Sequence, residues 1–233
     1  MRRRILLTAV AVVGALVLAG ALYGAIGQIE LPEARSFSID AIHVDAELTE
    51  SGMLEVSEQV TYTFRGADEQ PFTVGTRDFE PGPLSGTITS IAAYDDDGRP
   101  LPTLYETQWL FEWDIAPARS GTYTYELRYT VEDAIVVGSD VVELNRMWVG
   151  RSSPDIGQWS ADVRFPEGDG ELRSWAHGPL DGTIEVADPH IAAQAPDVPS
   201  GVFVETRTAV PVDRFSIAAG SEELLPGILA EEQ

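Results

Sequence analysis

The sequence predicts an all-β fold: an antiparallel β-sandwich, one large or two packed small ones, preceded by an N-terminal transmembrane or signal helix. Three observations predict it. Apolar residues alternate at a two-residue spacing through most of the chain from Ser36 to Ala219. Proline and glycine clusters interrupt that alternation at short intervals. The first 27 residues carry an uncharged apolar run behind Arg2, Arg3 and Arg4.

The apolar run from Ile5 to Gly27 comes first. Its 23 residues would span roughly 34 Å as a helix rising about 1.5 Å per residue, enough to cross a bilayer core. "AGA" at Ala19 to Ala21 also fits the small-x-small site at which a signal peptide is cut, although the run continues beyond it. Anchor and cleaved signal both remain open. Either places the rest of the chain outside the cytoplasm, because the arginines stay on the inner side. Residues 1–35 are therefore anchor or signal plus a short linker containing Pro32.

Strands come next. Ile42, Val44, Ala46 and Leu48 alternate with His43, Asp45, Glu47 and Thr49, and "TESG" supplies a turn into "EVSEQVTYTF" at residues 55 to 64. Further strands are expected at Phe72 to Asp78, Thr87 to Tyr94, Gln108 to Ile115 and Thr122 to Val131. Beyond Glu132 they are expected at Val141 to Leu144, Gln158 to Phe165, Glu171 to Trp175, Gly182 to Val186 and Gly201 to Thr208. "EPGPLSG", "DGRPLP", "PEGDG" and "GPLDG" read as the turns between them. The extracytoplasmic domain thus covers residues 36–219, with Arg151 to Pro154 as the candidate sub-boundary. The acidic tail, residues 220–233, reads as an amphipathic helix capped by Ser221 and weakened by Pro226 and Gly227.

Charge narrows the partners. Setting aside Glu30, Glu33, Arg2, Arg3, Arg4 and Arg35 leaves 36 acids against 11 arginines, a net charge of −25, with no lysine. Such a surface repels nucleic acid and anionic headgroups, so no nucleic-acid partner is expected. The expected partners are a cytoplasmic- or outer-membrane bilayer, reached through the N-terminal helix, and a protein of a membrane assembly. With no cysteine, neither disulfides nor thiolate metal sites are available, and stability must come from packing.

Glu58 is the outlier of its strand, because Val56, Val60, Tyr62 and Phe64 share its face. A carboxylate facing a core must be protonated, paired or hydrogen-bonded. Three readings stand: a position at an open sheet margin in water, a structural ion pair with Arg77 through antiparallel pairing of the flanking strands, or a functional role. Asp95, Asp96 and Asp97 before Gly98 fit a hairpin turn, with a weak calcium site as the alternative, since the spacing of an EF-hand loop is missing. His43, His177 and His190 lack zinc-ligand spacing, and no G-x-S-x-G elbow occurs. Trp109, Phe111 and Trp113 fall at two-residue spacing on one strand face. That face is either core or, if exposed, a ligand-facing platform.

In order and spacing, "SFSIDAIHVDAELTESGMLEVSEQVTYTF", "GTRDF", "GTYTYELRYTVEDAI" and "DVVEL" resemble the predicted membrane proteins called domain of unknown function 2207 (DUF2207). The residues carrying the resemblance are Val56, Glu58, Tyr62 and Phe64; Arg77 and Asp78; Gly121, Tyr125 and Tyr129; and Glu143. It spans about residues 36 to 219. "GTRDF" departs from it in lacking an aromatic before the arginine. The resemblance implies an export segment followed by an extracytoplasmic β domain of no assigned activity. It also implies further membrane helices, so that this chain would be a shortened or ectodomain-only form.

The expected function is a membrane-tethered extracytoplasmic binding or assembly module, with no enzymatic role and no cofactor. Two alternatives come from other classes. One is an exported envelope-polymer hydrolase gathering His177 or His190 with Asp155 or Asp188. The other is a calcium-stabilised surface adhesin using Asp95 to Asp97.

Overall fold

The fold grows from one hairpin. Strand β1 (Ser36–Leu48) and strand β2 (Leu54–Arg65) pair antiparallel over their whole length, from Leu48 opposite Leu54 to Ser36 opposite Arg65. The turn between them closes with the Thr49 N–H donating to the Met53 carbonyl at 2.8 Å, and Gly52 supplies the positive φ of 84°. The computed structural model describes residues 34–80, 86–107 and 109–233, so the predicted N-terminal helix and most of the "EPGPLSG" connection lie outside the described residues. All the strands belong to the unit Arg35–Gln233.

Thirteen further strands complete the unit. They are β3 (Phe72–Asp78), β4 (Thr87–Tyr94), β5 (Pro100–Leu101), β6 (Thr103–Glu106), β7 (Leu110–Ala118), β8 (Gly121–Glu132), β9 (Ile135–Val137) and β10 (Val141–Val149). After these come β11 (Trp159–Arg164), β12 (Arg173–His177), β13 (Thr183–Ala187), β14 (His190–Ala195) and β15 (Val204–Pro211). Eight form one large sheet in the order β13-β14-β11-β1-β2-β8-β4-β5. A four-stranded sheet runs β12-β15-β10-β9, and a three-stranded sheet runs β3-β7-β6.

The fold is all-β and its pairing is mostly antiparallel, with one correction. Strand β11 lies parallel to β1, with Ile42 beside Trp159 and Glu47 beside Arg164, so the large sheet is mixed. Alternation specifies which face of a strand is buried and carries no signal for the direction of its neighbour. A parallel neighbour requires a long connection, here the whole chain between β1 and β11.

One face of the large sheet is apolar and buried, through Ile42, Val44, Val60, Leu127, Trp159 and Ile191. The buried side chains of the two smaller sheets join the same contiguous core, among them Phe111 and Trp113 of β7 and Leu144 and Trp148 of β10. The layers therefore meet as one large sheet against two small ones. The opposite face of the large sheet carries Thr61, Thr63, Thr122 and Thr124, whose hydroxyls pair across the strands at 2.9 Å. Arg151 to Pro154 forms the turn after β10, inside this unit.

Several elements differ from expectation. Strand β14 buries Ala193 and Ala195 beside Ile191, side chains too small to stand out in an apolar pattern. Strand β6 is exposed along its whole length, so pairing with β7 rather than burial makes it a strand. The tail helix, α1 (Leu225–Glu231), starts later than Ser221. Asp140 caps it from a distance, its carboxylate accepting the N–H groups of Leu224 at 2.8 Å and Leu225 at 3.1 Å. Pro226 sits in the first turn, where its missing N–H costs nothing.

Gly75 of β3 makes the closest approach of backbone to core. A Cβ there would lie 2.2 Å from the indole of Trp113, which is fully buried and has no room to retreat. Gly75→Ala is expected to destabilise the domain by about 1–3 kcal/mol through overpacking, read as a lowered urea midpoint. Gly98→Ala meets no atom within 4 Å and carries only the backbone cost of its φ of 74°, about 1–2 kcal/mol. In a Trp113→Leu background, itself destabilised by the lost indole, the further cost of Gly75→Ala should be smaller than in the parent. Unchanged stability in Gly75→Ala would refute the steric account.

Candidate functional site

Two polar constellations stand out, one inside the core and one on the outer face of the large sheet. The inner one is Glu58 with Arg77, which are 1% and 4% exposed. Arg77 Nε donates to Glu58 Oε1 at 2.5 Å and a terminal Arg77 nitrogen donates to Oε2 at 3.3 Å, so the guanidinium faces the carboxylate with two donors. The remaining donors reach the Asp78 carbonyl at 2.6 Å and the Trp148 carbonyl at 2.8 Å. Tyr129 donates its hydroxyl to Glu58 Oε2 at 3.3 Å.

The route by which the two residues meet corrects the expected one. Strands β2 and β3 do not pair. Glu58 lies between Val44 and Leu127 in the large sheet, whereas Arg77 lies beside Phe111 in the three-stranded sheet. The pair crosses from layer to layer. After Arg65 the chain leaves the large sheet, and the apolar face of β3 turns onto that of β2, with Phe64 stacked on Phe72 at 4.3 Å. Burial on its own would lower the Arg77 pKa, and the Glu58 carboxylate more than reverses that, raising it. Burial raises Tyr62 and Tyr129 above the ordinary tyrosine range, with Glu58 adding to the rise and Arg77 opposing it.

The outer constellation is a groove of about 690 Å³ on the polar face of the large sheet. Asp45 and Glu47 of β1, Glu55 and Ser57 of β2, Arg128 and Thr130 of β8, Asp162 and Arg164 of β11, and His190 of β14 line it. Ser90 and Tyr94 of β4 close one side. A break in register between Thr89 and Ala92, with Ser90 at a φ of 54°, bends β4 at that edge. Within the face, Arg128 donates to both oxygens of Glu126 at 2.8 and 2.7 Å and lies 4.5 Å over the Tyr94 ring. Ser57 adds a third donor to Glu126 at 2.7 Å. The Arg128 hydrogen bonds, reinforced by Ser57, hold the Glu126 carboxyl below its usual range.

The other sequence candidates are dispersed. Phe111 and Trp113 are fully buried and so are not ligand-facing, while Trp109 stands outside β7 and is 41% exposed. Thr107 makes that break, its hydroxyl accepting the N–H groups of Trp109 at 3.2 Å and Leu110 at 2.9 Å. Asp95 to Asp97 form a turn in which Asp95 Oδ1 accepts the N–H groups of Asp97 and Arg99, and Arg99 pairs with Asp97 at 2.5 Å. The histidines and aspartates named for a hydrolase are engaged separately. His177 contacts Glu205 and Glu232 at 3.2 and 2.9 Å, and Asp188 binds Arg214 through two 2.7 Å bonds. Asp155 accepts the Ser200 N–H, and His190 lies in the groove. Sequence reading missed the groove itself, because its residues come from several strands and share only a polar face.

The inner pair generates a stability test. Arg77→Met leaves Glu58 buried without its partner and is expected to cost about 3–5 kcal/mol in urea unfolding. Glu58→Leu with Arg77→Met is expected to cost far less than the two single changes together, because the uncompensated charge disappears. Additive losses would refute the coupling. The tyrosines give a pH test. Tyr62 and Tyr129 sit above the ordinary value near 10, and burial pushes Tyr125 up to about 12. Their contribution is complete below about pH 10 and is lost as pH climbs toward the folded values, because the unfolded chain releases its protons first. Tyrosinate absorbance from these residues should therefore appear together with unfolding. Their ionisation in a still-folded protein near pH 10 would contradict the burial argument.

No curated protein sequence matches the chain. Among solved structures, it is similar to an M1 zinc metallopeptidase from Deinococcus radiodurans at 13% identity and a TM-score of 0.43, over 74% of this chain and 42% of that one. It is similar also to leukotriene A4 hydrolase from Saccharomyces cerevisiae at 8% identity and a TM-score of 0.49, over 73% of this chain and 29% of that one. The chain thus spans less than half the length of either. The model for the N-terminal domain of the predicted membrane proteins designated DUF2207 matches residues 38–210, and the chain belongs to that family.

Proposed function

We propose that the chain is a membrane-tethered, extracytoplasmic β domain with no catalytic role, which binds a protein of a membrane assembly across the groove on its large sheet. The groove carries this reading. Its side chains stand on neighbouring strands of one hydrogen-bonded sheet, so their spacing is set before any partner arrives. Asp45, Glu47, Glu55 and Asp162 share it with Arg128, Arg164 and His190, a mixed-charge surface of the kind that selects partners by complementarity.

Three further observations support the reading. The family is described as predicted membrane proteins. The apolar run behind Arg2, Arg3 and Arg4 supplies the tether. The acid excess disfavours nucleic acid and anionic lipid as occupants of the groove. Each histidine or carboxylate named for a hydrolase, apart from His190 in the groove, is held by another side chain or a backbone group.

Two measurements test the proposal. The chain has no cysteine, so Leu180→Cys, at a fully exposed turn, provides a unique label. A membrane-impermeant maleimide should label it in intact cells. Labelling only after lysis would overturn the extracytoplasmic placement. In mild-detergent extracts the full chain should migrate with a second polypeptide on native gels. Combining Arg128→Glu with Arg164→Glu should release it, and Arg164→Glu alone, which leaves the Arg128–Glu126 bonds in place, should weaken the complex without unfolding the domain. A chain that migrates alone, or a complex indifferent to these changes, would overturn the binding role of the groove.

A further inference from the structure

The parallel joint between β1 and β11 sets two pairs of polar side chains against each other on the outer face. His43 lies beside Ser160, and Asp45 lies beside Asp162. Carboxylates placed directly opposite each other on neighbouring strands repel. Among the described residues, neither carboxylate has an arginine salt bridge, and the nitrogen at hand is that of the His43 imidazole, with Nε2 3.4 Å from Asp45 Oδ2.

One donor atom from each of His43, Asp45 and Asp162 lies within 4.8 Å of the other two. We propose that these three residues form a binding site for a divalent transition-metal ion of the zinc type, open to solvent at the wall of the groove. Four arguments converge. Imidazole nitrogen with carboxylate oxygen is a donor set that zinc accepts, whereas calcium prefers an all-oxygen shell. Ligands held about 2.0–2.2 Å from a tetrahedral zinc stand roughly 3.4 Å apart, the spacing that Nε2 and Asp45 Oδ2 already have.

The third argument concerns the imidazole. Its Nδ1 lies 2.9 Å from Ser160 Oγ. When Nδ1–H donates to that hydroxyl, the lone pair falls on Nε2, the nitrogen turned toward Asp45. A metal-ligating histidine is ordinarily oriented in this way by an outer partner. The fourth is access: His43 is half-buried and oriented by the strand, while Asp45 and Asp162 are exposed and free to close on an ion. Three protein ligands leave the remaining coordination position to water or to a group of a bound partner. The site stands independently of what the groove binds.

Isothermal titration of zinc chloride into the full chain in detergent, near neutral pH, tests the proposal. The expected result is saturation at one equivalent, with the imidazole NMR signals of His43 shifting and those of His177 and His190 unmoved. His43→Gln and Asp162→Asn should each weaken binding at least about tenfold, and Ser160→Ala about tenfold through loss of orientation. Asp95→Asn combined with Asp97→Asn should bind zinc as the parent does. Calcium should not compete. Because Asp162 is exposed, Asp162→Asn keeps the fold and separates loss of the site from loss of structure. Absence of saturable binding would overturn the proposal. Binding unaffected by His43→Gln and Asp162→Asn would overturn it equally, as adventitious uptake by an acidic surface.

Discussion

An ion pair buried between two layers of sheet is the constraint on which the rest of the structure depends. Glu58 projects from the large sheet and Arg77 from the three-stranded sheet, and each would be a costly charge in a hydrophobic core without the other. Arg77 also reaches the carbonyl of Trp148 in the four-stranded sheet, so one guanidinium touches all three sheets. Apolar packing is non-directional and would permit the small sheets to settle in several ways on the large one. The planar fork of an arginine on a carboxylate permits few.

Around that pair the inner face is filled. Phe64 stacks on Phe72, Trp113 meets Tyr125 edge-on, and Phe79 meets Tyr129 at 5.2 Å, joining the three-stranded sheet to β2 and β8. Gly75 lets the Trp113 indole approach the backbone of β3, and the Tyr62 hydroxyl donates to the Thr76 carbonyl at 2.7 Å. Of the ten residues through which the chain resembles its family, Val56, Glu58, Tyr62, Phe64, Arg77, Tyr125 and Tyr129 lie buried on this inner face, whereas Asp78 and Gly121 are exposed and Glu143 pairs with Arg207 in the four-stranded sheet. Those on the inner face hold the layers together. With the inner face committed to packing, the outer face is left with polar side chains that ladder hydrogen bonds hold in fixed rows.

The C-terminal helix is held by polar contacts around a small apolar patch. Ile228 packs with Val141 and Ala209, while Arg207 reaches Glu143, Glu231 and Glu232, and His177 reaches Glu232. Asp140 completes the cap. A seven-residue helix containing Pro226 and Gly227 has little stability of its own, so these contacts, rather than its intrinsic propensity, keep it in place.

The strand-rich class, most strand positions and the odd character of Glu58 are legible in the amino-acid pattern, because alternation at two residues is a local property and a carboxylate among valines and aromatics breaks it visibly. Strands β3 and β4 run over the residues that alternation assigned. Tertiary structure alone decided what strands meet. The β1–β11 parallel joint, the placement of Arg77 across the layers rather than alongside β2, and the gathering of His43, Asp45 and Asp162 all depend on residues distant in the chain, His43 and Ser160 being 117 positions apart. Strands β6 and β14 were illegible for a related reason: an exposed edge and a run of alanines carry no apolar period, and their neighbours make them strands. Trp109 shows the limit at short range. Thr107 turns the backbone just before β7, so one aromatic faces outward while Phe111 and Trp113 enter the core. Periodicity says which face a residue shares with its own strand, and only the packed sheets say what lies against that face.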